Sequence, residues 1–155
     1  MANLVVNISE EVTLNGKVRG SENSLEISSV TQVLHRIVTC PANQDTTVAN
    51  FHAATNTSDN ALDVEDAKYI RVTNLDASNS INLSLQIDAA EDDSAAAESA
   101  TILVAAGRSF IMGAPSDGLA VSDANATIVT TLHNLESILV DPGSNAISVE
   151  VFIAS

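Results

Sequence analysis

The side chains able to do chemistry are few and poorly placed for it. There are three histidines, His35, His52 and His133, and one cysteine, Cys40. A nucleophilic triad needs Ser, His and an acid in one cleft. Serines are plentiful, but none sits in a G-x-S-x-G elbow. A reactive thiol needs a base and an exposed pocket. His35 lies an odd number of residues from Cys40, which on a strand places the two on opposite faces. Cys40 is therefore expected as a small buried hydrophobe, and a lone cysteine makes no internal disulfide. The histidines lack the paired spacing of zinc sites, and one buried and two on the surface is the expectation.

Carboxylates are abundant but not arranged as ligands. Asp59, Asp63, Glu65 and Asp66 share one loop, and Asp88, Asp92 and Asp93 another. Either set supplies the oxygens calcium takes, but neither has the EF-hand glycine pattern. Solvated acidic loops are expected. Glycosidases pair two carboxylates and usually stack the sugar on aromatics; this chain has no Trp and one Tyr. The glycines form neither phosphate-binding signature, G-x-x-x-x-G-K or G-x-G-x-x-G. The sequence thus offers no enzymatic site and calls for no metal or cofactor.

The whole-chain balance excludes further classes. Twenty acidic residues against six basic ones give a net charge of −14 and a pI near 4.2. Nucleic-acid binding draws on Lys and Arg set against phosphates, and the supply is Lys17, Arg19, Arg36, Lys68, Arg71 and Arg108. Stacking platforms need exposed aromatics, and Phe51, Tyr69, Phe110 and Phe152 are expected in the core. The same electrostatics disfavour anionic membranes, and no apolar run approaches the ~20 residues of a spanning helix. The opening MANLVVNISEE has no basic n-region and does not read as a secretory signal; synthesis in a bacterial cytoplasm is expected. The acidity is uneven: residues 72–155 hold eleven acids against Arg108 alone. It keeps copies soluble and suits a salty setting that screens self-repulsion.

The elements are strands. With 155 residues and 45% hydrophobic content, the chain suits one domain that buries roughly 70% of its unfolded surface. Ile81, Leu83, Leu85 and Ile87 alternate with Asn82, Ser84 and Gln86; Ile147, Val149, Val151 and Ile153 repeat the pattern. Tyr69–Thr73 is β-rich, with Ile70 and Val72 on one face. Further strands are expected over Leu4–Ile8, Val12–Leu14, Lys17–Arg19, Gln32–Cys40, Thr47–Ala53, Thr101–Val104, Ser109–Met112, Ala126–Leu132 and Ser137–Val140. Asn15-Gly16 is the strongest hairpin signal. Ala106-Gly107, Asp117-Gly118 and Asp141-Pro142-Gly143 mark turns. Ala89–Ala100 reads as a solvated loop, and Asn60–Lys68 as one short helical turn. The fold expected is all-β, a single antiparallel β-sandwich or jelly roll over residues 21–155, with residues 1–20 an N-terminal arm or hairpin.

One pattern carries a resemblance. Tyr69–Asp76 (YIRVTNLD) leads into Ser80–Asp88 (SINLSLQID), followed by Thr101–Gly113 (TILVAAGRSFIMG) and a C-terminal strand. Over residues 65–155 the chain resembles small β-rich structural proteins of marine tailed bacteriophages, cyanophages especially. There a Y-I-R-V-T-N strand, a polar turn, an alternating strand and an aG-x-S-F edge recur in a β-sandwich. The resemblance implies a virion protein: a decoration or cement subunit on the outer capsid surface, bridging the major capsid protein. Packaged DNA would repel a charge of −14 from the interior. The alternative it leaves open is a tail, neck or spike component that binds host surface or carbohydrate. Binding only the assembled shell would stabilise it by mass action. A trimer or dimer of the chain is expected on the lattice. The expected contact surface is Leu4, Val5, Val6 and Ile8 with Lys17, Arg19 and Arg36, in the less acidic half. Leu4–Ile8 serves either as a strand of the domain or as an arm that adds to a partner's sheet.

Overall fold

The computed structural model describes residues 2–52, 62–88, 98–113, 115–121 and 128–155. Its strands are β1 (Ala2–Leu14), β2 (Lys17–Val30), β3 (Val33–Cys40), β4 (Thr46–His52), β5 (Leu62–Asp63), β6 (Tyr69–Asn74), β7 (Ile81–Asp88), β8 (Glu98–Val104), β9 (Ser109–Met112), β10 (Asn134–Asp141) and β11 (Ile147–Ala154). No helix occurs among the described residues. At Asn60–Lys68 the described part holds a single helical turn, closed by the Ala67 amide on the Asp63 carbonyl at 3.2 Å.

A four-stranded sheet, β3-β11-β6-β9, and a five-stranded sheet, β5-β4-β10-β7-β8, make up the body. All pairings are antiparallel except the short β4–β5 bridge. The chain changes sheet between β3 and β4, β5 and β6, β6 and β7, β8 and β9, β9 and β10, and β10 and β11. Setting β5 aside, this is the strand order of an eight-stranded jelly roll, the β-sandwich form that leaves few long edges open.

Period-two alternation builds the core. Ile147, Val149, Val151 and Ile153 face inward opposite Ile81, Leu83, Leu85 and Ile87, each at most 1% exposed. Ile70 and Val72 complete the inner face of the four-stranded sheet. In β10 the alternation breaks. A register shift against β7 inserts Glu136 as an extra residue between Leu135 and Ser137, so Leu135, Ile138 and Val140 all reach the core despite mixed parity. The shift against β4 inserts Val48 in that strand instead.

Four expectations need correction. β8 begins at Glu98, because Glu98–Ala100 pair with Leu85–Ile87, so these three are strand and not the loop expected over Ala89–Ala100; residues 89–97 lie outside the described residues. The strand expected over Ala126–Leu132 is not formed by its described part, Ile128–Leu132, and Ile128 is left 87% exposed; Ala126 and Thr127 lie outside the described residues. Tyr69 is buried as expected and Phe152 half-buried, but in a second cluster and not between the two sheets. They pack edge to face, centroids 6.1 Å apart, on the outer side of the four-stranded sheet. The residue-20 boundary falls inside β2: the β1–β2 hairpin runs on to Val30.

Candidate functional site

The β1–β2 hairpin is a two-stranded sheet of its own. Asn15 and Gly16 form its two-residue loop between the Leu14–Lys17 pair, with φ of 52° and 74°. Positive φ at both positions gives the turn whose twist matches a hairpin. Thirteen residues of β1 at about 3.3 Å each make a ribbon roughly 43 Å long.

Only its root is seated. Leu4, Val6 and Ile27 pack on Val30, Tyr69, Ala154 and Phe152. The Ser155 carbonyl accepts the Thr31 amide at 2.7 Å and the Gln32 amide at 3.1 Å, and the Ser155 amide donates to the Gln32 carbonyl at 3.0 Å. The Lys68 ammonium donates to the Ser29 carbonyl at 2.7 Å. Beyond the root, every residue from Asn7 to Glu26 is exposed.

The ladder sorts the outer ribbon into two faces. One carries Leu4, Val6, Ile8, Val12 and Leu14 with their partners Ile27, Leu25, Asn23, Arg19 and Lys17. The other carries Val5, Asn7, Ser9, Glu11 and Thr13 opposite Glu26, Ser24, Glu22, Gly20 and Val18. The sequence-derived surface is thus divided. Leu4 and Val6 anchor the root, and Ile8, Arg19 and Lys17 continue along the same face. Val5 is 53% exposed on the opposite face. Arg36 lies elsewhere: it shares the inward parity of Leu34, Val38 and Cys40 on β3, and its guanidinium donates to the Val48 carbonyl across the sandwich edge. Sequence reasoning left Val12, Leu14, Val18 and Leu25 out of the surface, yet each is more than half exposed. For Val12, Leu14 and Val18 the signal was present, since they flank the Asn-Gly turn.

A second feature opens on the outer face of the five-stranded sheet. Asp45, Asn82, Ser84, Gln86, Thr101, Leu139 and Asp141 line a trough of about 290 Å³. The Asp141 carboxylate accepts the Gly143 amide at 2.8 Å and receives the Asn82 amide at 3.4 Å. The trough begins beside the β10–β11 connection, at the opposite end of the body from the ribbon root.

The remaining chemistry-bearing residues stand apart. His35 is on the outer face of β3, 2.7 Å from Glu150, which also receives Arg71 at 2.7 Å. These two donors, Arg71 foremost, hold the Glu150 carboxyl below its usual range. His52 ends β4 and is exposed; His133 is half-buried in a bridge with Leu119. Cys40 is fully buried, and burial pushes its thiol pKa up against a smaller opposing hydrogen bond from Thr46. Among the described residues no three His, Cys, Asp or Glu side chains group to hold a metal. Asp59, Asp92, Asp93 and the Asp88 side chain lie outside them. No helix among them is long and apolar enough to cross a membrane.

No protein-family model matches the chain, and no curated protein matches it. Among solved structures, the chain is similar to one described as "Bacillus endospore appendages form a novel family of disulfide-linked pili", at 11% identity over 82% of this chain and 88% of that one, with a TM-score of 0.34.

Proposed function

We propose that this chain is a structural subunit that adheres to a larger assembly: a decoration or cement protein on the outer surface of a phage head, in contact with the major capsid protein and with its own copies. The observation that supports this reading is the ribbon. A two-stranded hairpin alone in water is marginal at best, yet this one runs far beyond its seat with Ile8, Val12, Leu14, Val18 and Leu25 uncovered. Such apolar exposure on a soluble protein marks a contact surface. The acidic body aids solubility at high concentration, and a jelly roll gives a rigid mount.

The test is co-sedimentation with empty heads of a tailed marine phage. The intact chain is expected to saturate the heads at a fixed ratio of many copies per particle. Val12→Ser/Leu14→Ser/Val18→Ser is expected to weaken that binding at least tenfold while the body stays folded by circular dichroism. Binding confined to a few copies at a vertex or tail would refute the head-coat reading. Binding indifferent to the triple substitution would remove the ribbon from it.

A further inference from the structure

Resting on the adhesive reading of the ribbon, we propose that its cationic end docks in the Asp45–Asp141 trough of a second copy of this chain. Lys17 and Arg19 are two of only six basic residues, and no acid lies between Val12 and Ser21. With a whole-chain charge of −14, the ribbon end is a positive element on a strongly negative molecule. Its natural partner is an acidic surface, and the molecule itself supplies one in abundance.

The trough matches the ribbon end in kind. Asp45 and Asp141 offer carboxylates to Lys17 and Arg19, and Leu139 offers an apolar surface to Val12 and Leu14. The Asp141 carboxylate is oriented by the Gly143 amide and keeps lone pairs for a guanidinium, the pairing in which Arg makes its strongest hydrogen bonds. The contact is between molecules. The ribbon is rooted on the outer side of the four-stranded sheet, at the Ala154 end of β11. The trough opens on the outer side of the other sheet, at the other end of the body.

Donor and acceptor are therefore different surfaces, and the contact is head-to-tail. Such a contact closes into a ring where the rotation per copy allows it and otherwise propagates as a chain.

The test is light scattering on the full chain across a concentration series. Wild type is expected to self-associate reversibly. Lys17→Glu/Arg19→Glu and Asp45→Lys/Asp141→Lys are each expected to weaken association at least tenfold. Mixing the two variants in equal amounts is expected to restore it, since every ribbon end then finds an oppositely charged trough. If the lysine pair fails to fold by circular dichroism, Asp45→Asn/Asp141→Asn replaces it with the same expected weakening. A monomeric wild type, or association that either variant leaves unchanged, overturns the contact. If head binding survives while self-association is absent, this contact is wrong and the adhesive ribbon stands; if association survives without head binding, the reverse holds.

Discussion

Asn74 closes the Y-I-R-V-T-N strand with its side chain fully buried. Its amide donates to the carbonyls of Asn79 at 2.8 Å and Val104 at 3.2 Å, and its own oxygen accepts the Asp76 amide at 3.0 Å. One side chain thus ties the β6–β7 turn to the end of β8. Asp76 continues the turn by accepting the amides of Ser78 and Asn79, which hold its carboxyl below the usual range. Asn74→Asp would aim a buried carboxylate at two carbonyl oxygens. Losing those donors is expected to cost about 2 kcal/mol or more at pH 7. Burial raises the new carboxyl's pKa, so the penalty should shrink as pH falls toward 4 and a proton returns one donor. Urea unfolding at both pH values checks this. Glu150 has the opposite sign. Arg71 and His35 lower its folded pKa, so its stabilisation is present above the ordinary carboxylate range and is lost as pH falls through and below it. Exposed pairs of this kind contribute about 0–1 kcal/mol. Glu150→Gln is therefore expected to lower Tm slightly at pH 7 and to flatten the Tm–pH curve between about 5 and 2.

At the scale of elements, alternation was legible wherever a strand is regular. β7, β11 and the Asn15-Gly16 turn could be read from residue types alone. β10 could not be read in full, because its bulge at Glu136 mixes the parity of the inward residues. The start of β8 was hidden because Glu98–Ala100 are polar or small and become strand only by pairing with Leu85–Ile87 of the preceding strand. Arg36 was grouped with Lys17 and Arg19 by charge, although its parity with Val38 and Cys40 already placed it inward. The length of the ribbon was not legible at all. Gly20, which reads as an interruption, is a ladder position where a Cβ would sit 1.8 Å from the Glu10 carbonyl oxygen. Gly20→Val is thus expected to disrupt the ribbon midway. The midpoint of the body's thermal unfolding should hold, because Asn7–Glu26 contribute nothing to the buried core. Faster hydrogen exchange in β1 and β2, without change in β7 or β11, would show this. A matching loss throughout the body would contradict it.

For the whole molecule, composition spoke to class and not to assembly. Alternating apolar residues with polar turns led to a β-sandwich, and the order of sheets resolves it as a jelly roll. A fold of this kind hosts many functions and names none, so the proposed function rests on the ribbon. The ribbon passes at Val33 into β3, an outer strand of its sheet. β3 lies along β11 through eight consecutive paired positions, Cys40–Ile147 to Val33–Ala154. Tension between a grip on the ribbon and an anchor at the far end of the body would run parallel to that seam. Its rungs would share the load together in shear, where a pull from the side would peel them one after another. A pull along β3 therefore meets more resistance than one across it.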